Sequence, residues 1–134
     1  VDANLEQSMH KSKLSGFIID CRTDDLEAAA SFWSRALGMP VQELPGSEND
    51  SYRGLTDVAH GLDIEVQKVD HPSRVHLDIE TDDIDAEVRR LEALGARKVQ
   101  HIRGWWVLEA PTGQRFCVVK AKKEDFERRA NTWA

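Results

Sequence analysis

Cysteine is scarce in this chain. Its 134 residues include only two, Cys21 and Cys117, far apart and in no CxxC pair, so neither a disulfide framework nor a zinc ribbon can be built from them. A reducing, cytoplasmic setting is the expectation. Basic residues are also in short supply: 18 Lys and Arg against 24 Asp and Glu leave a formal net charge of −6. A protein that tracks phosphates carries the opposite balance on one face, so no nucleic-acid partner is expected. Long apolar runs are missing as well. No stretch approaches the ~18 residues that a membrane-crossing helix needs, and the polar start VDANLEQSMHKSK holds no signal-peptide core. No membrane partner is expected either. Also absent are a Gly-rich phosphate loop, a GxSxG elbow and an HExxH pair, which leaves nucleotide transfer, serine hydrolysis and zincin chemistry without support. What is present is an apolar fraction of 40%, enough for one soluble domain at this length.

That domain is internally repeated. Ile18-Ile19-Asp20-Cys21-Arg22-Thr23-Asp24-Asp25-Leu26-Glu27-Ala28 lies over His76-Leu77-Asp78-Ile79-Glu80-Thr81-Asp82-Asp83-Ile84-Asp85-Ala86 at an offset of 58 residues. Each copy reads as a strand running into an amphipathic helix. Leu26, Ala29, Ala30, Trp33 and Leu37 recur at helical spacing in the first, and Ile84, Val88, Leu91 and Leu94 in the second. Asp24 with Glu27, and Asp82 with Asp85, predict N-caps and acidic first turns. Gly38 and Gly95 predict the C-terminal stops. Short extended runs follow each helix: Val41 to Glu43, Tyr52 to Val58 and Leu62 to Val69, then Arg97 to Ile102, Trp105 to Glu109 and Arg115 to Ala121. Turn residues separate them, among them Pro45-Gly46, His60-Gly61 and Ala110-Pro111-Thr112-Gly113. Each half is therefore strand, helix, strand, strand, strand. Residues 1–13 read as a flexible arm, 14–122 as the domain, with modules at about 14–70 and about 74–121, and 123–134 as a short charged helical tail. Met9 is a candidate native start, which leaves residues 1–8 open.

Two such halves carrying FWSRALGMP, VHLDIETDDIDAEVRRLEALGA and WWVLEAPTGQRFCVV resemble the vicinal oxygen chelate superfamily: the glyoxalase, bleomycin-resistance and extradiol-dioxygenase-like proteins. The resemblance runs from Leu14 to Lys120 and is nearest the glyoxalase-like group. It implies an α+β fold in which two βαβββ modules in tandem form an open eight-stranded barrel-like sheet, with helices outside, a small-molecule cavity between the modules and a short C-terminal helix. A homodimer is implied too, since relatives commonly dimerise.

The resemblance also sets four metal positions, His, Glu, His and Glu in glyoxalase I, which fall here on Ile18, Glu65, His76 and Cys117. Two of the four match. Isoleucine offers no donor to zinc, nickel or iron, so no metal is favoured. Were a divalent metal held, its ligands would be Glu65, His76 and Cys117.

Strand alternation extends the cavity assignment. If His76 faces the cavity, so do Asp78 and Glu80, while Val75, Leu77 and Ile79 face the helices. By the repeat, Ile18, Asp20 and Arg22 face the cavity and Phe17, Ile19 and Cys21 the core. The same rule turns Asp63, Glu65 and Gln67 inward on one strand, and Arg115, Cys117 and Val119 on the last. Crowded carboxylates beside arginines and a histidine suit acid–base work on a carbonyl compound; they also suit plain cross-strand ion pairs. The candidate catalytic residues are His76, Glu65 and Asp78. Asp20, Arg22, Trp105, Arg115 and Cys117 are the candidate substrate contacts, with Trp105 as a flat wall. His101, Arg103 and Tyr52 are expected at the mouth, and Trp33 in the core. Two functions follow: a lyase or isomerase acting next to a carbonyl, or a protein that binds or sequesters a small molecule, such as a drug, without chemistry.

Overall fold

The computed structural model describes residues 9–57, 61–122 and 124–134. The first eight residues of the expected arm, the end of the run to Val58 and the turn residue His60 lie outside the described residues. The chain divides into two compact units. One holds Gly16–His76, the other Leu77–Ala134 together with the described residues up to Ser15.

The unit Gly16–His76 is built on β1 (His10–Arg22), α1 (Leu26–Leu37), β2 (Val41–Gln42), β3 (Tyr52–Leu55) and β4 (Asp63–Val69). Its strand order is β2-β3-β4-β1, with β4 parallel to β1 and the other pairs antiparallel. Ile19, Leu26, Leu55, Ile64 and Val66 form its apolar cluster, with Phe17, Cys21 and Trp33 packed against it. That set places alternate residues of β1 and β4 under α1, as the period-2 pattern requires. Gly16 stands opposite Asp63 in the parallel ladder, and a Cβ there would lie 1.8 Å from the Asp63 carbonyl oxygen. Only glycine fits that approach.

The second unit repeats the plan with β5 (Arg74–Thr81), α2 (Ile84–Ala93), β6 (Arg97–Ile102), β7 (Trp105–Glu109) and β8 (Arg115–Lys120). Here the order is β5-β8-β7-β6, with β8 parallel to β5. Val88, Leu91, Leu108 and Val118 form the cluster, joined by Ile79, Trp106 and Phe116. The mixed α+β fold and the twofold βαβββ plan are as the repeat implies.

Details differ from expectation. Helix α1 is capped by Asp25 and α2 by Asp83, one residue later than Asp24 and Asp82; each accepts from the backbone N–H three residues on. The preceding threonine explains the shift in both copies. Thr23 and Thr81 accept the N–H of Asp25 and Asp83, a turn that sets the next aspartate at the cap. Gly38, at φ 69°, ends α1 in the left-handed conformation as predicted. Of the three apolar residues on β5, only Ile79 joins the cluster under α2; Val75 and Leu77 are 59% and 51% exposed.

The chain has nine strands among the described residues rather than eight. Strand β1 begins at His10, inside the expected arm, and the tail is a one-turn helix α3 (Phe126–Arg129) followed by β9 (Asn131–Trp133). Strand β9 pairs antiparallel with the start of β1, Trp133 opposite His10. Backbone groups at both ends thus find partners in each other. No described helix is long and apolar enough to cross a membrane.

Candidate functional site

The polar side chains of interest lie on the sheet faces turned away from α1 and α2, because the helix faces are filled by the two apolar clusters. In the unit Gly16–His76, that face carries Ile18, Asp20 and Arg22 on β1, and Glu65 and Gln67 on β4, with Ile18 opposite Glu65 and Asp20 opposite Gln67.

Asp20 and His76 meet there. The Oδ2 of Asp20 lies 2.8 Å from Nδ1 of His76, and the carboxylate side chain is 1% exposed. Arg74, which precedes His76 by two residues on β5, brings its Nε to 3.5 Å from the same oxygen. Its other end reaches His71, Nη2 to Nε2, at 3.4 Å. A buried carboxylate is tolerable only with such partners, one of them fully charged. A carboxylate at Nδ1 favours the neutral tautomer that carries its proton there and leaves Nε2 as the acceptor nitrogen. Asp20 is thus occupied in holding His76. Its other oxygen, Oδ1, is buried without a hydrogen-bond partner among the described residues.

Glu65 is half-buried on β4, between Ile18 of β1 and Gly54 of β3 in the ladder. Arg22 is exposed at the end of β1, its backbone N–H bonded to Ser73. It lines, with Lys68, His71, Asp24, Asp50 and Asp70, a groove of about 870 Å³ at the C-terminal ends of β1 and β4. Through His71 and Arg74 this groove adjoins the Asp20–His76 pair.

In the second unit, Asp78 and Cys117 stand opposite each other on β5 and β8. The core takes Trp106 and Leu108 from β7, which turns Trp105 to the face that Cys117 occupies. Trp106 stacks on His101 at 4.7 Å between ring centroids and lies under Lys98. Arg115 is engaged by Glu109 at 3.1 Å, and Glu109 also takes Arg97 at 2.7 Å. Those two guanidinium groups, Arg97 before Arg115, hold the Glu109 carboxyl below the usual carboxylate range. Cys21 and Cys117 form no disulfide; Cys21 packs on the α1 side, where burial pushes its thiol up.

Arg74 and Glu109 are the residues that motif reading missed. Alternation along β5 holds the signal for the first, since residues 74, 76, 78 and 80 share a face. Glu109 shares a face with Trp105 by the same rule.

The four-ligand pattern of glyoxalase I does not fit these residues. Ile18 is 3% exposed and has no donor atom, and in its unit only Glu65 and His76 remain, short of the three protein donors that a catalytic zinc takes.

Two tandem βαβββ modules, each with a helix on one sheet face and polar side chains on the other, define the glyoxalase-like class of small α+β proteins. The chain belongs to the glyoxalase-like domain family, which it matches over residues 16–119. No curated protein sequence matches it. Among solved structures, it is similar to methylmalonyl-CoA epimerase from Mycobacterium tuberculosis, with a TM-score of 0.61 and 18% identity over 83% of this chain and 89% of that one. The Mn(II)-bound glyoxalase from Novosphingobium aromaticivorans matches at TM-score 0.57 and 14% identity, over 87% of this chain and 42% of that one. A glyoxalase/bleomycin resistance protein/dioxygenase superfamily member from Vibrio splendidus matches at 0.53 and 18% identity, over 82% and 99%. These likenesses establish the fold.

Proposed function

We propose that this glyoxalase-like protein binds a small polar or partly aromatic molecule and moves a proton next to its carbonyl group, a lyase or isomerase step. The observation that carries the reading is the 2.8 Å bond between His76 Nδ1 and the buried Asp20. A carboxylate that fixes the ring tautomer and steadies the imidazolium is the arrangement that makes a histidine an effective general base. His76 takes the proton through Nε2, Asp20 positions it, and Glu65 serves as a second acid–base group on the same module face. Arg22 steadies negative charge that develops on the carbonyl oxygen. On the second module's own face, Asp78, Trp105, Arg115 and Cys117 remain proposed ligand or acid–base residues, with Arg115 already shared with Glu109. The reaction runs on these side chains without the glyoxalase I metal set, for which Ile18 supplies no ligand. The neighbouring epimerase structures include one solved with methylmalonyl-CoA, which supports a carbonyl substrate with an acidic α-hydrogen. A cytoplasmic homodimer completes the proposal.

The test is turnover by wild type, His76→Ala and Glu65→Ala on α-ketoaldehydes, hemithioacetals, acyl thioesters and catechols, with thermal shift on the same panel. Loss of about 10²–10⁴-fold in kcat for His76→Ala is the expected result for a general base. Compounds that stabilise the wild type without being consumed would instead establish a non-catalytic binder, and turnover unaffected by His76→Ala would end the proposed role of His76.

A further inference from the structure

A second buried ionisable cluster lies in the unit that contains Leu77–Ala134, on the helix side and apart from every residue assigned above. Glu87, on the first turn of α2, is fully buried. It takes Nε2 of His10 at 2.8 Å, and Nε and Nη2 of Arg90, each at 2.8 Å. Arg90 lies 4.0 Å over the ring of Trp133, whose indole N–H donates to Ser12 at 2.8 Å. The cluster thus joins the start of β1, helix α2 and β9.

Three features set β9 apart from the module it closes on. It pairs with β1 through three residues only, His10 to Ser12, and its Asn131 and Thr132 are exposed. The apolar cluster of Val88, Leu91, Leu108 and Val118 includes nothing from β9. Beneath the strand, Glu87 and Arg90 are one turn apart on the same helix, so their ion pair survives if β9 lifts. Closure also carries a penalty. Among the described residues His10 Nδ1 is buried with no hydrogen-bond partner, a cost that water relieves on opening.

We propose that Asn131–Trp133 is a latch. It closes by one anchor, Trp133, seated between Arg90 and Ser12, and it opens as a unit while the βαβββ module stays folded. Half-burial of one indole, a stacked guanidinium and one hydrogen bond hold it shut. The buried Nδ1 of His10 beneath biases it toward opening.

Amide hydrogen exchange read by mass spectrometry tests this on the whole chain. In wild type, peptides covering His10–Ser12 and Asp125–Trp133 should exchange about 10-fold or more faster than those covering Leu108 and Val118. Trp133→Ala should speed the first two by about 10-fold again and leave the core peptides unchanged. Trp133→Phe, which keeps an aromatic ring but loses the indole N–H, should fall between. Exchange of the latch at the rate of β7 and β8 in wild type would overturn the proposal. So would a Trp133→Ala or Trp133→Phe protein in which latch and core lose protection together, because β9 would then belong to the cooperative core.

Discussion

The buried carboxylate of Asp20 is held 2.8 Å from His76 Nδ1, and both residues lie in the unit Gly16–His76. Asp20 is 1% exposed and His76 12%, so removing either leaves the other short of a partner in a dry place. His76→Ala and Asp20→Asn should each lower stability by about 1–3 kcal/mol. The double variant should cost less than the sum, by a coupling of about 1–2 kcal/mol, as contacting residues do. Urea denaturation of the four proteins gives the cycle. Additive effects would mean that the two side chains do not interact in solution.

Much of this fold was legible because the chain repeats itself. An eleven-residue likeness at an offset of 58 residues gave both strand-to-helix passages, and period-2 alternation then assigned the faces, which the apolar clusters match except at the exposed Val75 and Leu77. The caps slipped by one residue for a local reason that the same likeness holds: Thr23 and Thr81 each start a turn that hands the cap to the second aspartate. His76 is readable as a candidate by its position; its partnership with Asp20 is not, since 56 residues separate them. Glu87 was illegible. On a helix whose neighbours are charged, a glutamate reads as solvated, and its partner His10 lies 77 residues away in what reads as an arm. Buried polar networks draw on contacts that no local pattern encodes.

Gly16 offers a sharper test of the β1–β4 ladder than any apolar residue. A Cβ at that position meets the backbone of Asp63, with carbonyl oxygen, carbon and nitrogen all within 2.7 Å. Backbone atoms cannot swing away as a flexible side chain does, so the strands would have to part. Gly16→Ala should destabilise by about 3 kcal/mol or more, the upper end for overpacking. Gly104→Ala, where nothing lies within 4 Å, is the control and should stay within about 0.5 kcal/mol of wild type. A Gly16→Ala protein as stable as the control would show that the strands are not so closely apposed.

The shifted caps make a prediction at residue resolution. Asp25 and Asp83 accept from Ala28 and Ala86 at 3.0 and 3.1 Å. Asp25→Ala and Asp83→Ala should each cost about 1 kcal/mol, the usual worth of an N-cap. Asp24→Ala, one residue earlier and exposed, should cost a few tenths at most. The opposite order by chemical denaturation would return the cap to Asp24.

Glu87 is expected to contribute to the protein's sensitivity to acid. Burial alone would raise its carboxyl, but hydrogen bonds from Arg90, Ser12 and His10, with the Arg90 charge, together hold it below the usual carboxylate range. A carboxyl whose pKa is depressed by folding contributes stability that is present above its unfolded pKa and lost as pH falls through its folded pKa. In the folded protein more protons are therefore released than in the unfolded chain across that window, and acid favours unfolding. Denaturation by urea at steps from pH 7 down to pH 3 should show stability falling through the acidic range below the ordinary carboxylate value. Glu87→Gln should be less stable at pH 7, since the amide no longer balances Arg90, and its curve should be flatter on the acid side. The His10→Gln protein keeps the ionised Glu87 and should retain the acid limb of the wild type. Parallel wild-type and Glu87→Gln curves would show that Glu87 titrates alike in folded and unfolded chains, contrary to its burial among three donors.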